Sequence, residues 1–168
     1  MPASLSKPRR IRLPQRTAQA RDRGALHAFL QRLSPATLRA RYLSPLGTLP
    51  APWAERELDR LLDRHGGKHL VVLAVDGAAV RGVGEYMEEP VGRAELALVV
   101  EDDFQGRSVG RALLRTLQQL ALERGIRAFT GDVSHANRRA LLLLRGTGRG
   151  VRVDSGYGSL RFRLMLRE

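Results

Sequence analysis

The chain is 168 residues long, 43% hydrophobic, free of cysteine and carries a formal net charge of +12 at pH 7. That length suits one domain with a real core. The missing cysteine excludes disulfides, thiolate metal sites and cysteine nucleophiles, and no apolar run approaches the roughly 18 residues that span a bilayer. The charge is carried by arginine at 27 of 29 basic positions, spread along the chain, and only 5% of residues are aromatic. With so little to stack on bases, a nucleic-acid partner is not expected.

The opening stretch, MPASLSKPRRIRLPQRTAQARDR, lacks the apolar middle of a secretory signal. It reads as a flexible tail over 1–10 on a cytoplasmic domain over 11–168. Leu26, Phe29, Leu30 and Leu33 recur at helical spacing, which predicts a helix over about 20–33. Ser34 and Pro35 then read as an N-cap and first helical residue of a short helix reaching Tyr42. SPLGTLPAP is a loop. Trp53, Leu58, Leu61 and Leu62 mark a third helix, ended by Gly66 and Gly67. Trp53 is expected to pack that helix onto a sheet.

HLVVLAVDGAAVRGVGEYM is two apolar runs about Asp76 and Gly77, a hairpin signal. In AELALVV, Ala94, Leu96, Leu98 and Val100 share one face of a strand and Glu95, Ala97 and Val99 the other. A helix follows over 110–124, then a strand in IRAFTGDV, a helix in ANRRALLLLR and a last strand with Leu160, Phe162, Leu164 and Leu166 facing one way. The order implies a mixed α/β domain. Asp102 and Asp103 read as a solvated turn, His135 as the start of a helix, and Glu85, Glu88 and Glu89 as a solvated hairpin end in preference to an acidic mouth that attracts a lysine or polyamine. Tyr42, Tyr86 and Tyr157 carry no assigned role. His27, His65, His69 and His135 make no metal-ligand pair with a nearby carboxylate, so no metal is expected.

The chemistry concentrates where strand 94–100 turns into helix 110–124. A helix N-terminus offers unpaired N–H groups and a positive dipole end to a phosphate. Gly106 and Gly110 allow close backbone approach, while Arg107 and Arg111 can hold phosphate bidentately. On spacing alone, an ordinary strand-to-helix turn with solvated arginines fits equally well.

Gln105-Gly106-Arg107-Ser108-Val109-Gly110 resembles the cofactor motif Gln/Arg-x-x-Gly-x-Gly/Ala of the GNAT superfamily of acyl-CoA-dependent N-acyltransferases, with Ser108 in place of the first glycine. In order around it, RLSPATLRARYLSP, DRHGGKHLVVLAVDGAAVRGVGEYM, RAELALVVEDDFQGRSVGRALL and FTGDVSHANRRALLLLR resemble the Pat-like protein lysine acetyltransferases of that superfamily. The resemblance covers roughly residues 11–153. It implies one GNAT-like domain, with a mixed, mostly antiparallel sheet flanked by helices.

It also implies acetyl-CoA as co-substrate. The backbone of Leu98, Val99 and Val100 would pair with the pantetheine arm, and Gly106, Arg107, Ser108, Val109, Gly110 and Arg111 would wrap the pyrophosphate. Asn137 matches an asparagine that helps hold the pantetheine, although a helix N-cap explains it as well. Glu95, in the AE position of Pat-like enzymes, would be the general base that takes the proton of a lysine ammonium, whose pKa is about 10.4. By itself it reads as a solvent-facing strand carboxylate.

Departures from the family pattern are Ser108, Ala140 for methionine, Leu144 for a tyrosine acid, and Thr147-Gly148-Arg149 for Leu-Gly-Phe. The acceptor is expected to be a protein lysine. A small amine, or a regulatory domain that binds acyl-CoA without catalysis, are the alternatives.

Overall fold

The structure is a computed structural model that describes residues 9–43, 47–147, 150–155 and 158–166. Its sheet has seven strands: β1 (Gln15–Thr17), β2 (His69–Asp76), β3 (Ala79–Glu89), β4 (Arg93–Val100), β5 (Ala128–Ser134), β6 (Val151–Ser155) and β7 (Ser159–Met165). Across the sheet they run β1-β2-β3-β4-β5-β7-β6. Every neighbouring pair is antiparallel except β4 and β5, which are parallel. A parallel pair needs a crossover, and α4 (Val109–Glu123) supplies it.

Alternation along the strands builds two cores. Leu70, Val72, Tyr86, Ala94 and Leu96 point to one face and meet Leu113, Leu114 and Leu117 of α4 and Leu144 of α5 (Arg138–Arg145). Val71, Leu73, Val83 and Val99 point the other way. They pack on α1 (Arg23–Arg32), α2 (Pro35–Tyr42) and α3 (Ala51–Leu62) through Leu26, Phe29, Leu30, Leu38, Leu58 and Leu61. Burying each of these large side chains is worth roughly 1.5–3 kcal/mol. The last strand behaves as its alternation predicts, with Phe162, Leu164 and Leu166 buried.

Local signals account for most boundaries. Ser34 caps α2, its hydroxyl accepting from the Thr37 amide at 3.2 Å with Pro35 in the first turn. Gly77 takes φ 59° in the hairpin turn. The helix expected from residue 20 opens instead as a 3₁₀ turn, Ala20–Asp22, because the Asp22 carboxylate accepts from the Gln19 amide and the Arg16 guanidinium. α3 ends at Leu62 rather than at the double glycine. Gly66 and Gly67, at φ 65° and 90°, instead turn the chain into β2.

Three expectations are corrected by long-range contacts. Trp53 does not stand on the sheet; its ring meets Tyr42 of α2 edge-on, 4.5 Å between centroids. Asp102 is not a free turn carboxylate, since it accepts from the Ser34 amide at 3.0 Å and the Thr37 hydroxyl at 2.9 Å, tying α2 to the end of β4. Glu85 is not at a solvated hairpin end but is buried beneath α2 and α3. β1 and β6 go unpredicted, because Gln-Arg-Thr has no apolar alternation and is a strand only by pairing with Val72–Ala74.

Candidate active site

β4 and β5 are in register only from Arg93↔Ala128 to Glu95↔Thr130, and then part. Where they part, Gly131 lies so close to β4 that a Cβ there would stand 3.0 Å from the Leu96 carbonyl and 2.7 Å from the Phe162 ring. On its other edge β4 stays paired with β3 as far as Gly82↔Val100. The edge of Leu96–Val100 that faces β5 is therefore left without a strand partner, as a linear ligand pairing with Leu98, Val99 and Val100 would require. The Leu98 side chain packs into the α4 core and that of Val99 into the α1–α3 core, which leaves their backbone for the edge.

The turn at the head of the parted strands is strained. Gly106 has φ 69°, which glycine adopts freely, but Ser108 has φ 73°, ψ 4° at the N-cap of α4 and makes no capping bond. A left-handed serine costs about 1–2 kcal/mol. Among the described residues, the amides of Gly106 to Arg111 have no acceptor within the protein. Six free donors at a helix N-terminus fit a pyrophosphate. A Cβ at Gly110 would meet only Leu143 and Val100 at 3.7 Å, so packing within the protein does not demand glycine there.

The side chains of this turn divide. Arg111 is exposed and forms no ion pair among the described residues. Arg107 is turned aside, its Nε donating to the Arg9 carbonyl at 3.2 Å while Ile11 N–H donates to the Arg107 carbonyl at 2.9 Å. Val109 is buried and can offer only its amide. Asn137 caps α5, its Oδ1 accepting from the Ala140 amide at 3.1 Å. Leu144 is buried in the core and carries no group that could protonate a leaving thiolate. Thr147 bonds back to the Leu144 carbonyl, and Gly148, Arg149 and Tyr157 lie outside the described residues.

Gln105 was read only as a motif residue, yet it joins the two sides of the site. Its Nε2 donates to the Val100 carbonyl at 2.9 Å and the Thr37 hydroxyl at 3.0 Å, and its Oε1 accepts from Arg139 at the start of α5.

On the opposite face of the sheet, a pocket of about 190 Å³ opens between α2, α3 and the strands. Arg41, Tyr42, Glu57, Arg60, Glu85, Met87, Glu95 and Ala97 line it. Register explains the strand contribution: Met87 lies opposite Glu95 and Glu85 opposite Ala97. Glu85 accepts from Arg41, from Arg60 at 2.7 Å and from His69 Nε2 at 2.7 Å. Glu57 accepts from Arg60 at 2.7 Å and from the Tyr42 hydroxyl at 3.0 Å.

Burial would push the Glu85 carboxyl up, but the His69 and Arg60 bonds and the neighbouring guanidinium charges outweigh it and hold the group well below the usual carboxylate range. Burial would likewise lower His69. The bonds to Glu85 and to the Asp63 carbonyl prevail and raise it. Burial raises the Tyr42 hydroxyl above its ordinary range.

Glu95 differs from these groups. It is exposed to the pocket and, among the described residues, has neither a hydrogen-bond nor an ion-pair partner. The pocket set was missed in the sequence apart from Glu95 and the misplaced Glu85. One signal was available: Glu57 and Arg60 stand at i,i+3 on α3 beside the apolar stripe of Leu58 and Leu61. Among the described residues there is no group of side chains suited to a metal ion and no helix long and apolar enough to cross a membrane.

A family model described as Acetyltransferase (GNAT) family matches residues 19–148. An acetyltransferase of Pseudomonas aeruginosa is 30% identical over 128 residues, 73% of this chain and 67% of that protein. The GNAT domain of PAT from S. lividans superposes with a TM-score of 0.80 at 25% identity, covering 90% of this chain and 89% of that one. The PaiA N-acetyltransferase of Thermoplasma acidophilum, solved in complex with coenzyme A, superposes with a TM-score of 0.71 at 14% identity over 92% of this chain and 99% of that one.

Proposed function

The chain belongs to the GNAT acetyltransferase family, and from that premise we propose that it moves the acetyl group of acetyl-CoA to a primary amine, a protein lysine in the cytoplasm, with Glu95 as general base. The observation that carries this reading is the position of Glu95. It is a carboxylate without a partner among the described residues, in a pocket on one face of β4, three residues before Leu98 on the edge that parts from β5. Acceptor and acetyl donor can then approach one strand from two sides.

The Leu98–Val100 backbone edge would align the pantetheine arm. The amides of Gly106 to Arg111 and the charge of Arg111 would hold the pyrophosphate, and Asn137 at the head of α5 would help hold the pantetheine arm. Acetyl-CoA supplies an acyl group activated as a thioester. The acceptor arrives as an ammonium, and Glu95, directly or through a water, takes its proton and passes it to solvent. The nitrogen bonds to the acyl carbon and gives up its second proton to water, the carbon–sulfur bond breaks, and sulfur leaves with the electron pair as a thiolate. A backbone N–H of β4 near Leu98 or Val99 would meet the charge that develops on the carbonyl oxygen. With leucine at 144 in the core, the thiolate takes its proton from water.

The test is calorimetric binding of acetyl-CoA to the wild type and to Glu95→Gln, with thiol release followed over lysine peptides and small amines. Binding by both with turnover only in the wild type is expected. Binding by both with turnover in neither would favour a regulatory acyl-CoA-binding domain, and turnover of small amines alone would move the acceptor class.

A further inference from the structure

The sheet is covered unevenly. On the face that carries Glu95, α1–α3 pack over β2, β3 and β4, with α2 also reaching β5, whereas β7 and β6 present mostly exposed polar side chains. Register places Met87, Glu95, Thr130, Arg163 and Arg152 in one row across five strands. Val151, Val153, Phe162 and Leu164 point to the α4 side, so Arg152 and Arg163 stand on the Glu95 side, both exposed.

These two arginines lie directly opposite one another in an antiparallel pair, an arrangement of like charges that costs stability. Nothing among the described residues repays that cost, for neither forms an ion pair. The acidic groups of this face are spent elsewhere. Asp132 reaches Arg161 at 3.9 Å, and Asp154 lies in register with Arg161. Nearer the hairpin end, Glu89 lies 3.9 Å from Arg93 and accepts from Thr130 at 3.3 Å. The unmatched positive charge therefore sits at Arg152 and Arg163.

We propose that this open part of the sheet is the docking surface for the acceptor polypeptide, and that it selects lysines with an acidic residue four positions away. The inference rests on the reading of Glu95 as the acetyl-transfer centre. With strands about 4.8 Å apart, Arg163 lies about 10 Å and Arg152 about 14 Å from Glu95 along the row. An extended peptide advances about 3.3 Å per residue with side chains alternating in direction, so a lysine in the pocket sets its fourth neighbour on the same side, about 13 Å away, over Arg152 and within side-chain reach of Arg163. Its carboxylate can then pair with both guanidinium groups, relieving the repulsion between them.

The experiment measures acetyl transfer from acetyl-CoA to three lysine peptides that differ only in carrying Asp, Asn or Arg at the fourth position on either side. Wild type is compared with Arg152→Glu, Arg163→Glu and the double variant. The wild type is expected to prefer the Asp peptide over the Arg peptide by about tenfold in kcat/KM, with the margin shrinking as salt rises. The double variant is expected to invert the order. Arg152→Glu, on the edge strand, keeps the test sound should a change in β7 disturb folding. Equal rates on all three peptides, or an order untouched by the reversals, would overturn the docking surface while leaving acetyl transfer standing. Turnover of no amine by the wild type would overturn the reading beneath it as well.

Discussion

Glu85 and Glu95 face one pocket from neighbouring strands, and they are built for opposite purposes. Glu85 is buried and its oxygens are taken by Arg41, Arg60 and His69. Glu95 is exposed and has no partner among the described residues. A carboxylate saturated with donors and cations is held ionised and binds no further proton in the working range. A carboxylate left free can exchange one. The contrast separates the scaffold of the pocket from its candidate chemistry, and it predicts that the two glutamates fail differently.

The largest effect should come from Glu95→Gln, which is expected to lower kcat by about 10²-fold or more, the scale of general-base catalysis. Its melting temperature should match the wild type, because among the described residues Glu95 makes no hydrogen bond or ion pair that the change would break. A parallel loss of stability would place Glu95 with Glu85 in the scaffold. Glu85→Ala should do the reverse. It strands Arg41, Arg60 and His69 around a missing charge and should cost about 3–5 kcal/mol in a urea titration.

Ser108→Gly probes the other half of the site. Relief of the left-handed serine should raise stability by about 1 kcal/mol, read from the same titration, without loss of acetyl-CoA binding. An unchanged midpoint would mean that the turn carries no strain.

The smallest effect is the pH dependence of the Glu85 cluster. His69 is raised in the folded protein, so its contribution is complete below its unfolded value of about 6.5 and is lost as pH rises through the folded value. Glu85 is lowered, so its share is complete above the unfolded carboxylate range and is lost only as acid carries the pH through the depressed value. Melting curves should therefore show stability declining as pH rises above about 6.5 and through the raised folded value of His69. That decline should be absent in His69→Gln, where the titrating group is gone.

Much of this was legible along the chain. Alternation in AELALVV put Glu95 on the face opposite Leu96 and Leu98, and the structure keeps that division. The cap at Ser34, the turn at Gly77 and the start of α4 all rest on short-range rules. What was misread depends on partners far away in the chain. Glu85 is buried because Arg41, Arg60 and His69 come to it from α2, α3 and β2. Asp102 is tied because Ser34 arrives 68 residues away in sequence.

By itself, then, the sequence determined most of the elements and their faces, β1 and β6 excepted, since periodicity, capping and turn geometry are set by neighbours within a few residues. It also carried the family motif of the cofactor turn. Only the tertiary structure decided that β4 parts from β5 after Glu95, that Ser108 takes a left-handed backbone, and that Glu95, unlike Glu57 and Glu85 in the same pocket, lacks a partner among the described residues. Strand separation, strain and charge compensation are relations between distant segments, and no local pattern encodes which of them will meet.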